Sequence, residues 1–122
     1  MKKPWGWELF VDLKGCNPHS ISSPDHFKAF LKALTDAIHM KLYGEPVMAD
    51  FAHDDPEIGG YTIMQMIETS SITGHFVTKT GEAYLNIFSC QEFDKDKALE
   101  VIDQYFHPAS GVSKMVPRGE DR

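Results

Sequence analysis

The chain has 122 residues, 42% of them hydrophobic, with a formal net charge of −6. That length suits a single domain, residues 1–122, able to bury about two-thirds of its unfolded surface without staples, and the acidic balance argues against nucleic acid, whose partners carry a basic stripe. Cys16 and Cys90 are too few for a secreted disulfide scaffold, "MKKPWGWELF" has no apolar segment behind its lysines to act as a signal peptide, and no apolar run approaches the ~20 residues that span a membrane, so a soluble cytoplasmic protein is expected.

In "WELFVDL", Leu9, Val11 and Leu13 alternate with Glu8, Phe10 and Asp12, the period of a strand, and "KGCNP" ends it with turn residues. "SSPDHFKAFLKALTDAIHM" opens as a helix does, with serines, Pro24 in the first turn and Asp25 at the positive end of the helix dipole. Phe27, Phe30, Leu31, Leu34 and Ile38 then form one apolar stripe. "YGEP" breaks the pattern, "VMADF" reads as a second strand, and "AHDDPEIGG" as a polar loop. "YTIMQMIET" and "ITGHFVT" are the third and fourth strands, separated by a tight corner. "KTGE" is a hairpin turn in which Gly81 is free to take a positive φ, and "AYLNIFSC" is the fifth strand. "DKDKALEVIDQYF" is a second helix with an acidic first turn, ended by His107 and Pro108. The tail, 107–122, is expected to add a short edge strand over Gly111 to Val116 and then fray. The order β-α-β-β-β-β-α predicts an α+β two-layer sandwich, mostly antiparallel, with two helices on one face and the other face needing a partner or a ligand.

Chemistry-bearing residues gather around the third to fifth strands. Alternation puts Thr62, Met64, Met66, Glu68 and Ser70 on one face of the third strand, and His75 with Thr73 and Val77 on the fourth. On the fifth, Tyr84, Asn86, Phe88 and Cys90 lie opposite Leu85 and Ile87, which are expected to face the helices. A hydroxyl, an imidazole and a thiol can therefore meet on the helix-free face. Each also has an ordinary structural use, as turn hydroxyl, strand histidine or buried thiol. A Cys-His hydrolase lacks a nucleophile elbow here, and the dispersed histidines and Cys90 lack metal-ligand spacing, so no metal is expected.

Ser70, His75 and Cys90, five and twenty residues apart, together with "GGYT" ending at Thr62, "GWELFVDLKGC" and "LNIFSC", resemble the small bacterial and archaeal type of S-adenosylmethionine decarboxylase over most of residues 6 to 106. The resemblance implies self-cleavage between Thr69 and Ser70 into 1–69 and 70–122, with Ser70 becoming a pyruvoyl cofactor that takes up the substrate amine as a Schiff base. It implies that His75 assists processing, that Thr62 supports it, that Cys90 returns a proton to the substrate, and that the protein works as a homodimer on S-adenosylmethionine in polyamine synthesis. Glu68, Phe51 and Trp7 are the candidate substrate-binding residues. The chain departs from the family pattern in three places. Thr69 stands where glutamate commonly precedes the cleaved serine, Ser71 follows where many members have histidine, and Glu8 occupies a common histidine position. These leave three alternatives: cleavage before Ser71, a pyruvoyl decarboxylase of arginine or ornithine, and an unprocessed homologue that binds a ligand or activates a partner subunit.

Overall fold

The structure, a computed structural model, describes residues 3–52 and 54–120. Strand β1 spans Gly6–Lys14, helix α1 Pro24–Ala37, β2 Leu42–Phe51, β3 Gly60–Ile67, β4 Ser70–Val77, β5 Glu82–Ser89, helix α2 Lys95–Phe106 and β6 Ser110–Arg118. The strands form one sheet in the order β2-β3-β4-β5-β1-β6, and every neighbouring pair is antiparallel. β1, first in the chain, sits between β5 and β6, so the connection through α2 passes over it.

Alternation sorts the sheet into two faces. Leu9, Val11, Ile63, Ile72, Phe76, Leu85 and Ile87 are buried in one core with Phe27, Phe30, Leu31 and Leu34 of α1 and Ala98, Ile102 and Phe106 of α2. The result is the expected α+β sandwich, with both helices on one face. The Ser23 hydroxyl caps α1 by accepting from His26 N–H, with Pro24 at the first helical turn, and Asp94 caps α2 by accepting from Asp96 and Lys97 N–H. Aromatic rings fill the seam between layers. Phe27 stacks on Phe76 with ring centroids 4.6 Å apart, and Phe106 meets Phe30 at 4.6 Å and Phe76 at 5.0 Å.

Three boundaries differ from the sequence reading. β2 begins at Leu42 rather than Val47, because the "YGEP" segment is a bulge and not a break: the register with β3 shifts between Tyr43 and Val47, and Gly44 takes φ +69°. Gln65, only 2% exposed, holds that bulge by donating to the Tyr43, Gly44 and Met66 carbonyls at 3.2, 3.1 and 2.7 Å. β4 begins at Ser70, so the corner after β3 is just Glu68 and Thr69. The tail does not stop pairing at Val116. β6 runs in register with β1 from Ser110 opposite Lys14 to Arg118 opposite Gly6.

Candidate active site

The corner between β3 and β4 is held from three sides. Glu68 N–H donates to the Lys41 carbonyl at 3.0 Å, and Cys90 N–H donates to the Thr69 carbonyl at 3.0 Å. The Ser89 hydroxyl donates to Thr69 Oγ1 at 2.9 Å, and Thr69 Oγ1 donates onward to Met40 Sδ at 3.6 Å. Ser70, next along the chain, lies opposite Ser89 of β5. The Thr69–Ser70 peptide and Cys90 are therefore neighbours, and the Cys90 thiol is free and exposed.

A second polar pair lies towards the other end of the same strands. Thr62 Oγ1 and His75 Nδ1 are 2.7 Å apart across β3 and β4. They belong to a row on the helix-free face that continues through Tyr84 and Asp12. Tyr84 donates its hydroxyl to Glu82, which holds the Glu82 carboxyl below its ordinary range and raises the tyrosine. Near the Cys90 end of this face, Glu8 accepts from Asn86 Nδ2 at 2.7 Å and pairs with Arg118, whose guanidinium lies 5.3 Å from the Phe88 ring centroid.

One chain does not bring the candidate residues together as the alternation in sequence suggested. Ser70 opens β4 and shares the parity of the buried Ile72 and Phe76, whereas Ser71, Thr73 and His75 have the opposite parity. Ser70 and His75 are also five strand positions apart, about 16 Å at the usual rise. Within the chain the candidates form two groups: Thr69, Ser70 and Cys90, and Thr62 with His75. Glu68 is exposed at the corner, and Phe51 is exposed at the β2 edge, paired with Gly60. Trp7 is half-buried and packs against the core. Among the described residues no three His, Cys, Asp or Glu side chains are placed to hold a metal ion, and no helix is long and apolar enough to cross a membrane.

The sequence model of the S-adenosylmethionine decarboxylase family matches residues 7–119. The chain belongs to that family. Among solved structures it is similar to the adenosylmethionine decarboxylase from Aquifex aeolicus VF5, with a TM-score of 0.79 over 99% of this chain and 96% of that one. At 18% identity that likeness establishes the shared fold. No curated protein matches the chain.

Two residues that touch the Thr69–Ser70 corner, Ser89 and Met40, were missed by sequence reasoning. Ser89 follows Leu85 and Ile87 on the core-facing parity of β5 and is 0% exposed. A hydroxyl at a core position needs a partner, and that parity was the available signal. Met40 gave no signal, because its contact with Thr69 spans 29 residues of sequence.

Proposed function

We propose that the chain is a self-processing, pyruvoyl-dependent decarboxylase of S-adenosylmethionine, acting in the cytoplasm as a homodimer and feeding polyamine (spermidine) synthesis. The observation that carries this reading is the hydrogen bond from Cys90 N–H to the Thr69 carbonyl, 3.0 Å long. It aims a fixed donor at the oxygen that gains negative charge when Ser70 Oγ attacks the Thr69 carbonyl carbon.

The steps follow from the groups present. Ser70 Oγ bonds to the Thr69 carbonyl carbon, the Thr69–Ser70 amide bond breaks, and the hydroxyl proton passes to the amide nitrogen, leaving an ester. Removal of the Ser70 α-proton then expels the Thr69 carboxylate. Water hydrolyses the resulting dehydroalanine, releasing ammonia and leaving a pyruvoyl group at the head of residues 70–122. That ketone supplies the electron sink that decarboxylation of an α-amino acid requires. In this reading the Cys90 thiol, free, exposed and one residue beyond Ser89, the strand partner of Ser70, returns the proton to the substrate α-carbon.

His75, steadied through Nδ1 by Thr62, is the base for the α-proton in this reading. Because it stands about 16 Å along the strand from Ser70 of the same chain, in this reading it serves the Ser70 of a second copy. The helix-free face supports such an arrangement. Phe10, Val47, Met64, Met66, Tyr84 and Val112 expose large apolar side chains there, Met66 being 60% and Val112 70% accessible. Exposed apolar side chains gathered on one sheet face in this way suit an interaction site. Two such faces laid together about a two-fold axis would set the Thr62–His75 end of each copy over the Ser70–Cys90 end of the other. Phe51, exposed towards the Thr62 end, is then better placed than the core-packed Trp7 to stack on an adenine ring, and Glu68 at the corner offers a carboxylate to a cationic substrate.

The test is carbon dioxide release from S-adenosylmethionine, arginine and ornithine, with the purified chain and its Ser70→Ala variant. Release from S-adenosylmethionine alone, abolished in the variant, is the expected result. Release from arginine or ornithine instead would reassign the substrate. An uncut chain that binds S-adenosylmethionine without releasing carbon dioxide would make it a ligand-binding homologue.

A further inference from the structure

We infer that the hydroxyl pair Ser89–Thr69 is a positioning device for chain cleavage, a role that rests on the self-processing reading. The acyl shift needs the Thr69 carbonyl to present one face to Ser70 Oγ, so the plane of the Thr69–Ser70 peptide must be fixed. Cys90 N–H fixes it at the carbonyl oxygen. A single hydrogen bond leaves the plane free to turn about that contact. The second fixed point is the Thr69 side chain, whose Oγ1 accepts from Ser89 Oγ at 2.9 Å and donates to Met40 Sδ at 3.6 Å.

Ser89 is itself immobilised. It is 0% exposed, its hydroxyl accepts from Gln91 N–H at 3.0 Å, and its strand position lies directly across from Ser70. A chain of donors thus runs from Gln91 N–H through Ser89 and Thr69 to Met40. Each hydroxyl gives its one proton in the same direction, which leaves no ambiguity in how Thr69 points. Core parity alone would favour an apolar residue at position 89, after Leu85 and Ile87. The hydroxyl there bonds the one side chain that precedes the bond to be cut.

Misplacement of reacting groups by about 1 Å costs up to ~100-fold in rate, so removing one of two fixed points is expected to slow cleavage about 10- to 100-fold. The experiment follows cleavage of freshly made chain by intact mass, with melting temperature measured in parallel. Ser89→Ala is expected to cut slowly, and Ser89→Thr, which keeps the hydroxyl, to cut within a few-fold of the parent. Thr69→Val, which keeps the shape of the side chain and loses only its hydroxyl, is expected to be slow as well, and serves if Ser89→Ala does not fold. Hydroxylamine, which splits esters, identifies the step. The slow variants should gain nothing from it, because the ester does not form, whereas His75→Ala should accumulate ester and be cut by it after Thr69. The inference is overturned if Ser89→Ala and Thr69→Val cut at the parent rate, or if they accumulate a hydroxylamine-sensitive ester. It is equally overturned if Ser89→Thr is as slow as Ser89→Ala at an unchanged melting temperature. A parent chain that itself stays uncut would instead defeat the self-processing reading beneath it.

Discussion

The two ends of the β3–β4–β5 meander are built on different principles. At the Ser70 end backbone bonds lead: Glu68 N–H to the Lys41 carbonyl and Cys90 N–H to the Thr69 carbonyl fix the corner, and the Ser89–Thr69 hydroxyl pair adds a side-chain bond. At the His75 end a side chain is held by a side chain, Thr62 to His75, on a face with no helix over it. One corner is tied down within the chain, and the other pair stands on a face with no helix over it. In the proposed reading the difference teaches that a site can be divided within a chain, with the bond to be cut held in each copy and the proton-transfer group offered to a neighbour.

The sharpest way to break this comparison is complementation. His75→Ala is expected to slow cleavage by at least about 100-fold, the usual size of a general-base effect. Mixed with a Ser70→Ala chain before folding, the His75→Ala chain should be cut again, while the Ser70→Ala chain stays whole; gel or mass readout distinguishes them. If mixing restores nothing, His75 acts within its own chain. Cys90→Ala separates the residue's two groups. Its N–H survives, so cleavage should stay within about tenfold of the parent, whereas carbon dioxide release should fall by about 100-fold or more with loss of the proton donor.

Smaller effects test the layer beneath both ends. Phe27 is 0% exposed and stacks on Phe76 of β4, so Phe27→Ala should cost about 3–5 kcal/mol in denaturant unfolding. A loss below ~1 kcal/mol would mean that the helices do not anchor β4, since buried Phe truncations are rarely so mild. Burial pushes the Cys16 thiol up from 9.0 to about 11. Between those pH values the unfolded chain releases this proton and the folded chain keeps it. Stability should therefore fall as pH rises through that window, by up to about 1.4 kcal/mol per pH unit. Cys16→Ala should flatten that alkaline loss in melts taken from pH 8 to 11.

Much of the frame was legible because burial follows period. Leu9, Val11 and Leu13 alternate, Phe27 to Leu34 recur at helical spacing, and Gly81 supplies the positive φ of its turn. The edge strand was expected over Gly111 to Val116, but composition concealed the full length of β6, where Ser110 and Pro117 sit in a strand whose pairing comes from β1 and not from its own apolar content. Turn chemistry likewise concealed the β2 bulge at Gly44. The family spacing located Ser70, His75 and Cys90, but not their geometry. Extending the alternation of β3 through the corner assigned Ser70 to the wrong parity, because a two-residue turn restarts the count at β4. Ser89 and Met40 depend on contacts across 20 and 29 residues, which no local pattern encodes.

The most direct test is the intact mass of freshly purified protein, taken before and after treatment with a carbonyl-trapping reagent such as phenylhydrazine. The account predicts two polypeptides, 1–69 and 70–122, with only the second gaining the mass of the reagent. A single unbroken chain of 122 residues that takes up no reagent would contradict it.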